Sequence, residues 1–417
     1  MFTDVDDLRS QVIETVAETP VTDVHTHLFT PSFGPLLLWG IDDLLTYHYL
    51  VAETFRHLRL PYEEFWRMPK SAQADLIWRT LFIERSPLSE ACRGVLTVLQ
   101  ALGLDPAARD LGAYRAYFAG LTAREYLDKV LALANVSSLV MTNDPFVPAE
   151  RRVWLDGFAP DPRFHAALRI DPLLNDWDGA CRSLREMGYP ADPAFPAETA
   201  AEVRRFLEDW IARMRPVYLA ASLPPDFAWP DGSVRSRLLE QCLLPVAAAH
   251  GLPLAMMIGV RKLVNRGLRL AGDSEGKADT ASVERLCAAY PDNRFLLTML
   301  SRENQHECCV AGRKFGNLLV FGCWWFMNNP SLVEETTRMR LELLGPGFVP
   351  QHSDARVLDQ LVYKWKHSRE VIGVVLAEKY ADLWRAGWRP TPDEIRRDIA
   401  GLLGGNFWTF VKAGPGA

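Results

Sequence analysis

Long apolar runs are missing from this sequence. No stretch approaches the ~20 residues that a membrane-spanning helix needs. A surplus of positive charge is missing as well: 46 Lys and Arg stand against 52 Asp and Glu, a formal net charge of −6 at pH 7 with histidine neutral. That balance argues against nucleic acid or an anionic membrane as a partner, while local arginines can still hold a small anion. Paired-cysteine motifs are absent. Cys92, Cys181, Cys242, Cys287, Cys308, Cys309 and Cys323 are odd in number, form no CxxC pair and lie mostly in apolar runs. They read as buried, reduced thiols. The opening MFTDVDDLRSQVIETV is acidic and helical in pattern, without a basic start ahead of an apolar block. It does not read as a signal peptide, and the expected compartment is the cytoplasm. Internal repeats, low-complexity tracts and long disordered linkers are also lacking.

What is present is ordinary globular material: 417 residues, 48% hydrophobic and 24% charged. That length allows two or three domains, or one large α/β barrel with an insertion. Short apolar, β-rich runs recur at 21–27, 136–144, 164–171, 216–224, 252–260, 293–300, 318–325 and 348–354. Continuous apolar runs of this length suit parallel strands buried on both faces. Helical patterns separate them, such as AETAAEVRRFLEDWIARM (197–214) and TASVERLCAAY (280–290), with RKFGNL (313–318) ending a third. Eight runs alternating with helices predict a (β/α)8 barrel. The alternative is an open doubly wound sheet, but no GxGxxG follows the first run.

The first connection, from His27 to Val136, is over a hundred residues of mostly helical character. It reads as a helical subdomain inserted over the barrel mouth. The tail from 356 onward is helical too, with Thr391-Pro392 as an N-cap and a first-turn proline. The expected division is 1–27 (N-terminal helix and first strand), 28–135 (insertion) and 136–417 (remaining barrel and C-terminal helices).

In such a barrel, chemistry belongs at the C-terminal ends of the strands. Those ends are polar here. The first run closes on His25 and His27, the second on Asn143 and Asp144, the third on Arg169 and Asp171. The sixth runs into Ser301, Arg302, Glu303 and Asn304, the seventh ends in Trp324 and Trp325, and the eighth ends in His352, Asp354 and Arg356. Residues two apart in a strand share a side, so His25 and His27 leave together. Two imidazoles can ligate a divalent ion such as Zn²⁺, or can be satisfied structural histidines. First and eighth strands adjoin in a closed barrel, which brings Asp354 to the same point.

The ordered pieces extend further: HisTyr at 48–49, MTNDP at 141–145, LRIDP at 168–172, SRENQ at 301–305, FGCWWF at 321–326 and HSDAR at 352–356. Together they resemble the uronate isomerase (glucuronate isomerase) family of the amidohydrolase superfamily, in a divergent branch. The resemblance spans nearly the whole chain. It implies a distorted (β/α)8 TIM-like barrel and reversible aldose–ketose isomerisation: D-glucuronate to D-fructuronate, and D-galacturonate to D-tagaturonate. It implies His25, His27 and Asp354 as metal positions. His48, Tyr49, Arg169, Arg302, Trp325 and Arg356 become the substrate and catalytic positions.

That chemistry needs a base, a group to stabilise an enediolate oxygen and an anchor for the uronate carboxylate. Asp354 is the first choice of base, although a metal would lower its basicity. Tyr49 is the second choice as proton shuttle, and needs nearby cations to ionise. Arg356 can hold Asp354 ionised or stabilise the enediolate, and His48 can assist ring opening. Arg169 and Arg302 suit a carboxylate through bidentate contacts, and Trp325 offers a flat face to a sugar ring.

The sequence also departs from the common pattern. Met257 in MMIGV replaces a histidine, no lysine ends the fourth run, where Ser222 sits, and Ser301 ends the sixth. These absences argue against two metals. They leave three protein ligands for one divalent ion, Zn²⁺ being the expected one, bound weakly or dispensable. Plainer readings stand beside each assignment. His48 and Tyr49 can be packing residues, one of Trp324 and Trp325 core, Arg169 and Asp171 a rim ion pair, and Arg302 a solvated loop start. Two other functions also fit parts of the pattern: a mononuclear metal hydrolase, and a sugar-acid binding protein without chemistry. The expected partner is a small hexuronate, with neither nucleic acid nor membrane, and the helical insertion and tail offer surfaces for a homo-oligomer.

Overall fold

The computed structural model describes residues 2–413. Seven parallel strands form one curled sheet in chain order: β1 Val21–Thr26, β2 Val136–Asn143, β3 Phe164–Arg169, β4 Leu219–Leu223, β5 Leu254–Ile258, β6 Phe295–Met299 and β7 Leu318–Val320. Each follows an apolar run of the sequence, trimmed by a few residues at its ends. Side chains alternate across the sheet, as the strand period requires. Val24, Val140, Ala167, Ala220, Ala255, Met257, Leu296 and Leu319 fill an inner cluster with Tyr218, Phe321 and Phe407. Their neighbours Leu139, Met141, Leu168, Leu219, Met256 and Leu297 pack outward into the larger core beneath the helices. The architecture is a distorted TIM-like α/β barrel with a helical C-terminal tail.

The eighth run is not a regular strand. One parallel bridge, Phe321 to Val349, ties it to the end of β7. Pro350 has no N–H to give a ladder. The Gln351 side chain takes over part of the pairing by accepting the backbone N–H groups of Cys323 and His352, both at 3.1 Å. The segment still closes the barrel. Val349 N donates to Val320 O (3.1 Å) on one side, and on the other Asp354 N donates to His25 O (3.1 Å) and His27 N to Ala355 O (2.8 Å).

Between β1 and β2 lie seven α-helices, from Ile41–Leu45 through His48–Phe55 to Ala123–Ala134. One of them reaches the segment that follows β5. Trp66 Nε1 donates to Gly267 O at 2.8 Å, and Asn265 to the Tyr62 hydroxyl at 3.1 Å. The tail seals the opposite end: Phe407 and Val411, on the helix Asn406–Lys412, join the inner barrel cluster. Arg369, on the long helix Gln360–Arg385, donates to Val16 O and Thr19 O, the unpaired carbonyls ending the helix Val5–Glu18. Thr391 caps Pro392–Ala400 in a capping box with Glu394, with proline at the first position. The helix expected to run into 313–318 instead ends at Gly312, and Leu318 already begins β7. All seven cysteines are buried and unbridged. Among the described residues, no helix is long and apolar enough to cross a membrane.

Gly322 sits just past β7 at φ +70°, and a Cβ there would lie 1.8 Å from Cδ2 of His352. Strain and overlap coincide at this position. Gly322→Ala should destabilise the fold by roughly 2–4 kcal/mol, read as a lower urea midpoint. An unchanged midpoint would show that the β7 end is looser than this packing requires.

Candidate active site

The site begins with a defect in β1. Asp23 pairs with Leu139 and Thr26 with Met141, so three steps on β1 face two on β2. This is a β-bulge, which re-aims the side chains beyond it. Asp23 points outward, where its carboxylate accepts from Trp365 Nε1 (2.8 Å) and Ser353 N (3.1 Å). Unbroken alternation would send His25 the same way. Instead its Nδ1 lies 3.0 Å from the hydroxyl of Tyr218, inside the barrel.

His25, His27 and Asp354 converge. Nε2 of His25 is 3.7 Å and Nε2 of His27 is 3.3 Å from Asp354 Oδ1. All three ligand atoms fall within 4.8 Å of one another, the one such group among the described residues. Asp354 Oδ1 is buried and has no hydrogen-bond partner. A buried carboxylate oxygen left bare between two imidazoles fits a divalent cation. Burial, then the neighbouring His352 and His27, drive the pKa of His25 well below its usual value. Burial and Arg356 do the same to His27. Neutral imidazole is the form that binds metal. Asp354 holds φ at 52°, a left-handed backbone that non-glycine residues rarely adopt and that concentrates at functional sites.

Around this group stand most of the other expected residues. Arg356 Nη2 lies 3.5 Å from His27 Nε2. The His48 ring meets Trp325 edge-on, with centroids 5.5 Å apart, and both its nitrogens lack hydrogen-bond partners. Burial and Arg356 hold His48 neutral. Trp325 lies beyond the end of β7 rather than within it, on a short 3-10 turn at φ 50°, stacked on Phe326 (5.1 Å, 18°). Trp324 joins the inner apolar cluster. Tyr49 packs against His48 and Tyr47, and burial raises its phenol pKa well above the usual value. The phenol is therefore a hydrogen-bond donor rather than a ready base. Arg169 is gripped by Asp171 in a bidentate pair at 2.7 and 3.2 Å. Burial opposes its charge, but Asp171 prevails and raises its pKa.

Arg302 is not brought to this group. Its guanidinium is exposed and paired with Glu335 at 3.0 Å, because it follows β6 on a turn that faces solvent. Met257 lies in the inner apolar cluster. Several residues near the site carried no signal in the sequence. Tyr218 stands just before β4 within an apolar run, and Thr142 drew no separate reading inside MTNDP. Lys364 is buried on the long tail helix with Nζ 5.6 Å from the Tyr49 ring centroid. Lys262, after β5, holds Nζ 5.7 Å from the Trp325 ring centroid and 3.0 Å from Asp273.

A parallel barrel with a metal-competent His-His-Asp group at its mouth, bordered by arginines and a stacked tryptophan, defines an α/β-barrel enzyme with a candidate metal site. No protein-family model and no curated protein sequence matches the chain. Solved structures do. A uronate isomerase from Bacillus halodurans C-125 is 57% identical, with a TM-score of 0.97, over 100% of this chain and 98% of that one. The chain belongs to the uronate isomerase family. A uronate isomerase from Thermotoga maritima (15% identity, TM-score 0.79, covering 99% and 100%) shares the fold. So does a glucuronate isomerase from Caulobacter crescentus (16%, 0.69, covering 98% and 95%).

The surface position of Arg302 allows a direct check. Arg302→Ala should keep kcat/KM for a hexuronate within about threefold of the parent, as for an exposed ion pair. A large loss would bring this side chain into the site during turnover.

Proposed function

We propose that the protein interconverts the aldose and ketose forms of a hexuronate: D-glucuronate with D-fructuronate, and D-galacturonate with D-tagaturonate. The observation that carries this reading is the full-length, 57% identical likeness to a uronate isomerase. The geometry supports it at every expected position except Arg302, which lies at the surface.

The reaction takes a proton from C2, forms an enediolate and returns a proton to C1. Asp354 is the base of this proposal through the carboxylate oxygen that a bound cation would leave free, Oδ1 being the one that faces the imidazoles. Arg356 forms no ion pair with a carboxylate among the described residues. Its charge is thus available to the enediolate oxygen. Tyr49, kept protonated by burial, gives a hydrogen bond in the proton-shuttle position expected from sequence. His48 assists ring opening as a neutral imidazole. Arg169, oriented by Asp171, anchors the carboxylate, and Trp325 is the ring assigned to pack against the sugar. His25, His27 and Asp354 would hold one divalent ion, Zn²⁺ by the two-nitrogen, one-oxygen donor set, which would supply Lewis-acid polarisation of a substrate oxygen. The reading takes the helical stretch 28–135 as a subdomain over this mouth. It takes the cytoplasm as the compartment, with the helical insertion and tail as surfaces open to self-association and with neither nucleic acid nor membrane as partner.

The experiment is incubation of purified protein with D-glucuronate or D-galacturonate in D₂O, followed by NMR. The expected result is ketose formation with loss of signal at the exchanging carbon-bound proton. Failure to convert either sugar, with hydrolysis of a lactone or amide instead, would replace the isomerase by a mononuclear metal hydrolase. Arg356→Met should lower turnover by about 10²–10³-fold while the unfolding midpoint holds. Near-normal activity would show that Arg356 does not stabilise the enediolate.

A further inference from the structure

Two hydroxyl groups behind the histidines share one pattern. Tyr218 donates its hydroxyl proton to the carbonyl of Val24 at 2.8 Å, and the same oxygen lies 3.0 Å from Nδ1 of His25. Thr142 donates its hydroxyl proton to the carbonyl of Thr26 at 2.9 Å, and its oxygen lies 2.9 Å from Nδ1 of His27. Each hydroxyl therefore clamps a histidine ring together with the carbonyl of the residue just before it. A hydroxyl has one proton. Both protons are spent on backbone carbonyls, so both oxygens face the rings as acceptors. Each ring must then place its single proton on Nδ1 and leave Nε2 bare.

An independent contact agrees. Arg356 Nη2 approaches His27 Nε2 at 3.5 Å, and guanidinium only donates. Asp354 Oδ1 faces both Nε2 atoms without a hydrogen bond to either, an arrangement that suits a cation between them. The sites of Tyr218 and Thr142 explain why two different hydroxyls serve. The β1 bulge turns His25 into the barrel, toward the interior start of β4, whereas His27 lies at the top of β1 beside β2.

We propose that Tyr218 and Thr142 are positioning residues that fix the Nδ1–H tautomers of His25 and His27, presenting two bare Nε2 atoms to a divalent cation beside Asp354. Neither side chain reaches the cation or the substrate; each acts through the imidazole it holds. The inference rests on the reading of His25, His27 and Asp354 as metal ligands.

The test uses the full-length protein and two readouts. In metal-free protein, two-bond ¹⁵N–¹H NMR correlations of the ring protons, assigned with His25→Gln and His27→Gln, report each tautomer. Parent protein should show Nδ1–H at both histidines. Tyr218→Phe should shift His25 alone toward Nε2–H, and Thr142→Val should shift His27 alone. Zn²⁺ affinity, measured by competition with a chromophoric chelator, should fall about 10–100-fold in each. Thr142→Ser, which restores a hydroxyl, should recover His27 and return affinity to within about threefold of the parent. Unchanged tautomers in both variants would overturn the proposal even if affinity fell, because packing damage alone would explain the loss. A parent protein that binds no Zn²⁺ while showing both Nδ1–H forms would instead overturn the metal reading and leave the tautomer assignment standing.

Discussion

Two backbone hydrogen bonds decide whether this site exists. Asp354 N donates to His25 O, and His27 N donates to Ala355 O, so the last barrel segment is laid directly against the end of the first strand. The carboxylate and the imidazoles come from residues more than three hundred positions apart, and no side-chain contact among them would hold without that closure. The segment cannot rely on a full ladder, since Pro350 interrupts it. Gln351 spans the gap through Cys323 N, Asn328 Oδ1 and Ser368 Oγ. Asp23 adds a further staple, joining β1 to Ser353 and to Trp365 of the tail helix. Barrel closure and site assembly are thus one event in the fold.

Several irregularities meet where the chemistry is. The β1 bulge, Asp354 and Trp325 at positive φ, and the non-ladder eighth segment all lie within the same end of the barrel. Each left-handed non-glycine residue costs about 1–3 kcal/mol. The regular packing of the inner and outer cores offsets that cost, and the surplus stability of the scaffold holds a few side chains in directions a flawless sheet would forbid.

How far the sequence revealed this varies by residue. Seven of the strands were visible as apolar runs because parallel strands are buried on both faces. His25, His27 and Asp354 were visible because polar residues closing apolar runs have no folding reason to recur. The side His25 faces was not visible: a bulge adds one residue to a pairing, and nothing in VTDVHTH marks it. The eighth run read as a strand because its composition allows one, but backbone pairing there passes to the Gln351 side chain. Arg302 looked equivalent to Arg169, both standing at strand ends; only the direction of the turn after β6 separates them. Tyr218 and Lys364 were hidden in apolar or helical contexts where tyrosine and lysine are unremarkable, and only three-dimensional proximity lends them meaning.

The two arginines at the site differ in a way that bears on the proposed chemistry. Proton abstraction by Asp354 conserves the total charge of the site and moves one negative charge from the aspartate to the sugar. A guanidinium useful at both stages must lie near both groups and be free of other carboxylates. Arg169 is held by Asp171 through two hydrogen bonds, with Asp144 and Glu150 adding to its pairing. Such a cation is fixed, and suits a substrate group whose charge does not change, the carboxylate. Arg356 stands two residues from Asp354, touches only His27 among the candidate ligands, and has no carboxylate partner. It is the cation able to follow the charge as it moves, which is the property that separates stabilising a transition state from binding a substrate.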